Sequence, residues 1–197
     1  MSRPASKLSK DPPGAPLTPL IALLRGINVG GRNLLPMPPL AAICESVGCS
    51  GVKTYIQSGN VILRAKPGTA ARLQSAIPDA IEKAHGFRPL VIFRTLKELN
   101  QAIADNPFPG ATADPKLLHV GFLAEPPPKT AAALDPARSP GDRFALRGRE
   151  LYIHYAAGVH TSKLTYAYIE STLKTPCTFR NWNTVLKLAD LAKAGQP

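Results

Sequence analysis

Val52-Lys53-Thr54-Tyr55-Ile56-Gln57-Ser58-Gly59-Asn60-Val61-Ile62-Leu63-Arg64 is the stretch that decides the fold. Two strand-like runs, Val52–Ile56 and Val61–Arg64, flank the turn residues Gln57-Ser58-Gly59-Asn60, so the segment reads as a β-hairpin. Upstream, the apolar run Leu20–Leu24 reads as a buried strand. Pro38 and Pro39 then open a helix with Leu40, Ile43, Cys44 and Val47 on one face, and Gly48 stops it. Downstream, Thr69 to His85 is helical, with Leu73, Ile77 and Ile81 stacked at i+4 and Pro78 expected to kink it. Leu90–Phe93 is a fourth strand. Thr95-Leu96-Lys97-Glu98 is a capping box that opens a short helix to Ala104. The order is βαββαβ plus a helix.

A breaker cluster follows, Asn106-Pro107-Phe108-Pro109-Gly110 and then Asp114-Pro115, which marks a domain boundary. Beyond it the order repeats. Leu117–Leu123 reads as a strand, Pro128–Leu134 as a short helix, and Arg143–Arg147 with Leu151–Tyr155 as a hairpin around Gly148-Arg149. Leu164–Leu173 reads as a helix, Cys177–Phe179 as a strand and Trp182–Ala194 as a closing helix. No obvious residue-level repeat accompanies the shared order. The expected architecture is α+β, with two ferredoxin-like (βαββαβ, α/β plait) halves at 17–107 and 112–197, each followed by an extra helix. Residues 1–16, rich in Pro, Ser and Lys, read as a disordered tail.

A hydrophobic content of 44% in 197 residues supports a packed core. Lys and Arg number 24 against 13 Asp and Glu, a formal net charge of +11 spread along the whole chain. A diffuse positive field suits anionic partners, nucleic acid or a phosphorylated small molecule, and is equally the property of a generally basic soluble protein. No apolar run approaches the roughly 18 residues of a membrane span, and the first residues hold no secretory h-region. Three cysteines without a CxxC suit a reducing, cytoplasmic setting.

The chemistry-bearing residues cluster. Arg25-Gly26-Ile27-Asn28-Val29-Gly30-Gly31-Arg32-Asn33 follows the first strand, and its glycines and guanidiniums suit an anion. The alternative is a tight loop in which Arg25 and Asn28 cap its own backbone. The spacing Gly26-x-x-x-x-Gly31-Arg32-Asn33 overlays a phosphate loop at its glycines. Arg32 and Asn33 replace the lysine and hydroxyl, and Pro36, Pro38 and Pro39 delay the helix that must follow at once. A βαββαβ plan brings Gln57, Ser58, Asn60 and Arg88 to the same sheet edge. The opposite edge of the second half collects Ser162 and Lys163 with Arg180, Asn181 and Asn183. Each group has a plainer role: turn residues at 57–60, Ser162 as a helix N-cap beside Lys163, and Asn181 or Asn183 capping the last helix. Capping leaves Arg180 free for an anion. The four histidines lack ligand spacing, so no metal or cofactor is expected, and no catalytic residue stands out.

RNA-recognition modules share this strand order but stack bases on aromatics of strands one and three. Ile21-Ala22-Leu23-Leu24 and Val61-Ile62-Leu63-Arg64 have none, so base stacking on that surface is disfavoured, whereas contact with backbone phosphates is not. Leu23-Leu24-Arg25-Gly26-Ile27-Asn28-Val29-Gly30-Gly31, Thr54-Tyr55-Ile56-Gln57-Ser58-Gly59-Asn60-Val61 and Arg180-Asn181-Trp182-Asn183-Thr184-Val185 resemble the signatures of an uncharacterised bacterial family, domain of unknown function 1697. Ser162-Lys163-Leu164-Thr165 is similar to a further family segment. The resemblance spans roughly Leu20 to Ala192 and implies plait-like halves, with no established activity to carry over. Family members often have Lys where this chain has Arg32, which exchanges a point donor for a planar fork. The expected work is binding a phosphate-bearing ligand at the Arg25–Asn33 edge. The alternatives are a small enzyme with a polar Gln/Ser/Asn site and an interaction scaffold.

Overall fold

The first strand, β1 (Thr18–Leu24), is apolar on both faces because both are covered: Ile21 and Leu23 enter one buried cluster, Leu20, Ala22 and Leu24 another. The structure, a computed structural model, describes residues 17–194, so the expected tail at 1–16 lies outside the described residues. After β1 come α1 (Met37–Ser46), β2 (Ser50–Tyr55), β3 (Asn60–Ala65), α2 (Ala70–His85), β4 (Val91–Thr95) and α3 (Leu96–Ala104). A short 3₁₀ turn at Pro109–Ala113 leads to β5 (Leu118–Leu123), β6 (Arg143–Arg147), β7 (Glu150–His154), α4 (Tyr166–Leu173), β8 (Cys177–Asn181) and α5 (Trp182–Ala194). The strands form two antiparallel four-stranded sheets, ordered β2-β3-β1-β4 and β6-β7-β5-β8.

Layering follows from the two-residue side-chain period of a strand. Ile21, Leu23, Ile62 and Ile92 of the first sheet and Leu118, Val120, Phe122 and Tyr152 of the second share one cluster with Leu96 and Leu99 of α3 and Trp182, Val185 and Leu188 of α5. α3 and α5 therefore lie in the apolar layer common to both sheets, α5 touching β1 and β3 on one side and β5 and β8 on the other. The Tyr152 hydroxyl donates to the Ala102 carbonyl at 2.6 Å, satisfying the one polar atom that this tyrosine brings into the layer. The outer face of the first sheet is covered by α1 and α2 through Leu40, Cys44, Leu73, Ile77 and Ile81. The outer face of the second packs on α4 through Ile169 and Leu173.

Helix starts obey local chemistry. Thr95 and Glu98 form the expected capping box on α3, the Thr95 hydroxyl accepting from Glu98 N at 3.1 Å and Glu98 from Thr95 N at 2.7 Å. Asn181 caps α5, accepting from Thr184 N at 2.9 Å. α2 runs through the buried Pro78 and ends at Gly86 in the left-handed region.

Two expectations need correction. No helix forms over Pro128–Leu134; the chain from β5 to β6 is irregular. Pro126, Pro127 and Pro128 withhold three donors, and Pro136 closes the segment before a turn of hydrogen bonds can accumulate. The second unit is thus βββαβ plus a helix, where a full βαββαβ was expected. α4 starts at Tyr166 rather than Leu164, capped by the Thr165 hydroxyl accepting from Tyr168 N at 3.3 Å. Ser162 instead accepts from Leu164 N at 3.0 Å in a turn before the helix.

The two units correspond around their first strands, β1 and β5, which lie inside their sheets. Leu24 N donates to Gly59 O at 2.8 Å; Leu123 N donates to Arg149 O at 2.9 Å. Arg94 lies opposite Ile21 across β4–β1, and Arg180 opposite Val120 across β8–β5. In this frame Phe93-Arg94-Thr95 superposes in sequence on Phe179-Arg180-Asn181, a residue-level repeat immediately before each closing helix.

Candidate functional site

The glycine loop is a small hairpin with five of its residues at positive φ: Gly26, Asn28, Gly30, Gly31 and Asn33. Gly30 and Gly31 form its two-residue tip, with Val29 bridged to Arg32 and Arg32 N donating to Val29 O at 3.0 Å. Two consecutive positive φ values are what such a tip demands, and glycine adopts them without a Cβ penalty. The two asparagines lock the base. Asn28 Nδ2 donates to Leu35 O and Gln57 O, both at 2.9 Å, and its Oδ1 accepts from Leu35 N at 2.8 Å. Asn33 Nδ2 donates to Gly26 O at 2.8 Å. The self-capping alternative, which named Arg25 and Asn28, holds for Asn28 alone: Asn33 takes the second capping role, and the Arg25 guanidinium leaves the loop for Glu170.

The expected convergence at this edge occurs. Leu24 bonds to Gly59, Arg25 N donates to Leu90 O at 2.9 Å, and Asn28 fastens the loop to Gln57. Gly59 sits so close to Leu24 and Ile27 that a Cβ would lie 2.8 Å from Leu24 Cβ. Ser58 accepts from Asn60 Nδ2 at 3.0 Å. Arg88 stands beside the edge and is ion-paired with Asp79 and Glu82 of α2.

The second cluster does not stay at its own edge. Arg180, expected to be free for an anion, is buried with every guanidinium N–H engaged inside the protein. Its Nε donates to Asn60 Oδ1, Nη1 to Thr178 Oγ1 and Phe179 O, and Nη2 to Leu24 O at 2.7 Å and to Ser58 O and Gly59 O at 3.2 Å. A five-donor fork reads out the end of β1 and the β2–β3 turn of the other sheet. Burial draws its pKa down to about 10, with Tyr166 opposing, so it stays charged at neutral pH. Arg25 crosses the same junction: it pairs with Glu170 of α4 and lies 4.9 Å above the Tyr166 ring.

The remaining candidates scatter. Asn181 is consumed as a cap, and Asn183 is exposed on the first turn of α5. Lys163 is exposed, its N–H donating to Ser139 Oγ at 3.2 Å. Ser162 lines a cavity of about 370 Å³ with His119, Tyr155, Tyr166 and Phe179; Gln57, Ser58 and Asn60 do not reach it. Arg32 is exposed and makes no ion pair among the described residues. Around it Val29 and Leu34 are each 64% exposed and Ile56 49%, the last a β-branched residue at φ 47°. Of the four non-glycine residues at positive φ among the described residues, Asn28, Asn33 and Ile56 belong to these two adjoining loops.

Sequence reasoning missed Arg94, Glu150, Glu170, Tyr166 and His119. The signal for Arg94 was the repeated Phe-Arg-polar triplet; nothing comparable marked the others. The cysteine thiols are core atoms, with burial pushing Cys44 and Cys177 up to about 12, so neither is a thiolate nucleophile at neutral pH. Among the described residues no group of three His, Cys, Asp or Glu is placed to hold a metal, and no helix is long and apolar enough to cross a membrane.

Similarity to known proteins gives the chain a family. No curated protein matches it. The fold is similar to that of the conserved bacterial protein SP0830 from Streptococcus pneumoniae, with a TM-score of 0.65 at 20% identity, covering 90% of this chain and 99% of that one. A family model matches residues 17–152, a span that includes the glycine loop and the β2–β3 turn and stops short of Ser162 and Arg180. The chain accordingly belongs to the protein family of unknown function DUF1697.

Proposed function

We propose that this protein binds a phosphate-bearing macromolecular anion, nucleic acid by preference, through the tip of the Val29–Arg32 hairpin. One observation carries the reading: Arg32 is exposed and without an ion pair among the described residues, at the tip of a loop whose base is held rigid by Asn28 and Asn33. A preorganised cation loses little entropy on binding. The Gly-Gly tip adds backbone N–H groups next to Arg32 as further donors for a phosphate. The surroundings, Val29, Leu34 and Ile56, are raised and exposed rather than sunk in a cavity, which favours an extended ligand over a small metabolite. The +11 charge supplies long-range attraction. Arg25 and Arg88 act here through their ion pairs, as supports for the edge. We read the two sheets as plait-like, ferredoxin-type units at 17–107 and 112–197, the second having lost its first crossover helix.

Fluorescence anisotropy with labelled single- and double-stranded RNA and DNA tests the proposal. Affinity falls between about 50 and 200 mM salt, and Arg32→Ala weakens binding to all sequences alike and lowers the salt slope by about 1. Absence of binding at the lower salt, or an Arg32→Ala protein that binds like wild type, overturns it.

A further inference from the structure

The two sheets end differently at corresponding edges. β2 is outermost beside β3, and β6 is outermost beside β7. β2 is shielded twice: α1 packs against it, and its pairing shifts register between Ser50 and Lys53. β6 has neither device. Its five residues pair with β7 without a break, and the chain that corresponds to α1 is irregular. Between Pro127, Pro128 and Leu134 of that irregular chain and Phe144, Leu146 and Leu173 lies a groove of about 450 Å³.

The register shows which backbone groups β6 turns outward. Leu123 N donates to Arg149 O and Tyr155 N to Leu117 O, so Leu151 and Ile153 bond towards β5, while Glu150, Tyr152 and His154 bond towards β6. Their partners Arg147, Ala145 and Arg143 are therefore spent on the ladder. The N–H and C=O groups of Phe144 and Leu146 point away from the sheet, and none of them has a partner outside it among the described residues. Side chains alternate across the same edge. Phe144 and Leu146 lie opposite Ile153 and Leu151 of the outer cluster and border the groove. Arg143, Ala145 and Arg147 take the other face. Neither arginine makes an ion pair among the described residues. Arg143 meets His154 Nδ1 at 3.1 Å and the Phe108 ring, and Glu150, the acid across from Arg147, is taken by Arg94.

We propose that β6 is the acceptor edge for an extended acidic segment of a partner protein, which adds a strand to the second sheet. The incoming strand repeats the alternation of β6. Acidic side chains stand beside Arg143 and Arg147, a small one beside Ala145, and apolar ones beside Phe144 and Leu146, where they enter the groove. The preferred segment is therefore acidic, apolar, small, apolar, acidic, a pattern that reads the same in either strand direction. Main-chain bonds supply affinity and the two faces specificity. Charge selects this occupant over two others. Two copies pairing β6 to β6 about Ala145 set Arg143 against Arg147 at both ends, like charges directly opposite. Residues 1–16 of this chain carry three basic side chains and one acidic one, the wrong sign for this edge.

The probe is the fluorescein-labelled peptide Thr-Glu-Val-Thr-Val-Glu-Thr, titrated with the full chain and followed by anisotropy. It binds, and its isomer Thr-Val-Glu-Thr-Glu-Val-Thr, which exchanges the two faces, binds about tenfold more weakly. Arg143→Glu and Arg147→Glu in one chain lose the probe and gain the peptide with Lys in place of both Glu, a gain that an unfolded variant cannot show. Oligonucleotides leave the probe bound, because Arg32 lies in the other unit. Absence of binding up to about 1 mM, or an isomer that binds as well as the probe, overturns the proposal. So does displacement of the probe by an oligonucleotide, or by a synthetic peptide of residues 1–16, which would make the chain's own tail the occupant. A dimer in solution that Leu146→Glu dissociates would make a second copy the occupant and overturn it equally.

Discussion

Arg94 and Arg180 are equivalent residues, and each is buried in the other unit's strand ends. Arg94 Nη2 donates to Leu123 O at 2.9 Å and Arg149 O at 3.2 Å, as Arg180 Nη2 donates to Leu24 O and Gly59 O. Each also donates from Nη1 to the carbonyl of the phenylalanine before it. The partners of Nε differ. Arg94 holds the carboxylate of Glu150 at 2.8 Å, whereas Arg180 holds the neutral amide of Asn60. The two units are thus clasped reciprocally, with the charge neutralised on one side and carried by carbonyl dipoles on the other.

Removing either arginine strands buried carbonyls of the opposite unit. Arg94→Leu and Arg180→Leu are each expected to lower stability by about 3–5 kcal/mol, because a buried, fully bonded charge is lost and its acceptors remain. Glu150→Gln leaves Arg94 with a neutral partner, as Arg180 already has, and costs about 1–3 kcal/mol. Urea denaturation midpoints check all three. A loss under 1 kcal/mol for both arginine variants would mean that the clasp is incidental to stability.

Gly59 predicts a steric effect at the same junction. Its φ is 78°, and a Cβ would lie 2.8 Å from Leu24 Cβ and 3.0 Å from Ile27 Cδ1, both in the core. Gly59→Ala therefore adds a left-handed penalty of about 1–2 kcal/mol to a clash that only backbone movement relieves. Gly148→Ala shares a positive φ but meets open space, so it shows the conformational penalty alone. Thermal denaturation of the pair separates the terms; equal losses would place no clash at Gly59.

Asn28 ties loop rigidity to the proposed binding. Asn28→Ala removes three hydrogen bonds and places alanine at φ 55°, whereas Asn28→Gly removes the same bonds and keeps the backbone relaxed. Both variants are expected to lose about 1–3 kcal/mol, the alanine more, and to bind oligonucleotides more weakly although Arg32 is untouched. Unchanged affinity in both would show that the hairpin needs no preorganisation.

The hairpin Val52–Arg64, the capping box at Thr95 and the order of strands in the first unit were legible because each rests on local chemistry: turn residues, a cap spacing, a two-residue period. The helix expected at Pro128–Leu134 was not, since Ala131-Ala132-Ala133-Leu134 has high helix propensity and only the flanking prolines argued otherwise. Arg180 was misplaced for a different reason. A guanidinium beside a cap reads as exposed by default, and its burial depends on carbonyls more than a hundred residues away. The Phe-Arg-polar triplet repeated before α3 and α5 was visible, yet it acquires meaning only once Ile21 and Val120 are seen as equivalent partners. For the loop, the residue types suggested an anion cradle, while the amides of Asn28 and Asn33 turn out to serve the loop itself.

His119 gives the pH dependence its sign. Burial lowers its folded-state pKa below the 6.5 of the free side chain. A depressed pKa contributes stability that is present above the unfolded value and is lost as pH falls through it towards the folded value. Wild type is therefore expected to lose stability between about pH 7.5 and 5.5, with the steeper part below 6.5. His119→Leu copies Leu20, which lies opposite Thr95 as His119 lies opposite Asn181. It removes a buried nitrogen, Nδ1, that has no hydrogen-bond partner, and leaves nothing to protonate there. It should unfold at higher urea than wild type at neutral pH, by roughly 1 kcal/mol, and the gap should widen on acidification. Denaturation midpoints of both proteins at the two pH values measure it. If His119→Leu were less stable at pH 7.5 than wild type, the histidine would be a packing residue whose fit outweighs its unpaired nitrogen.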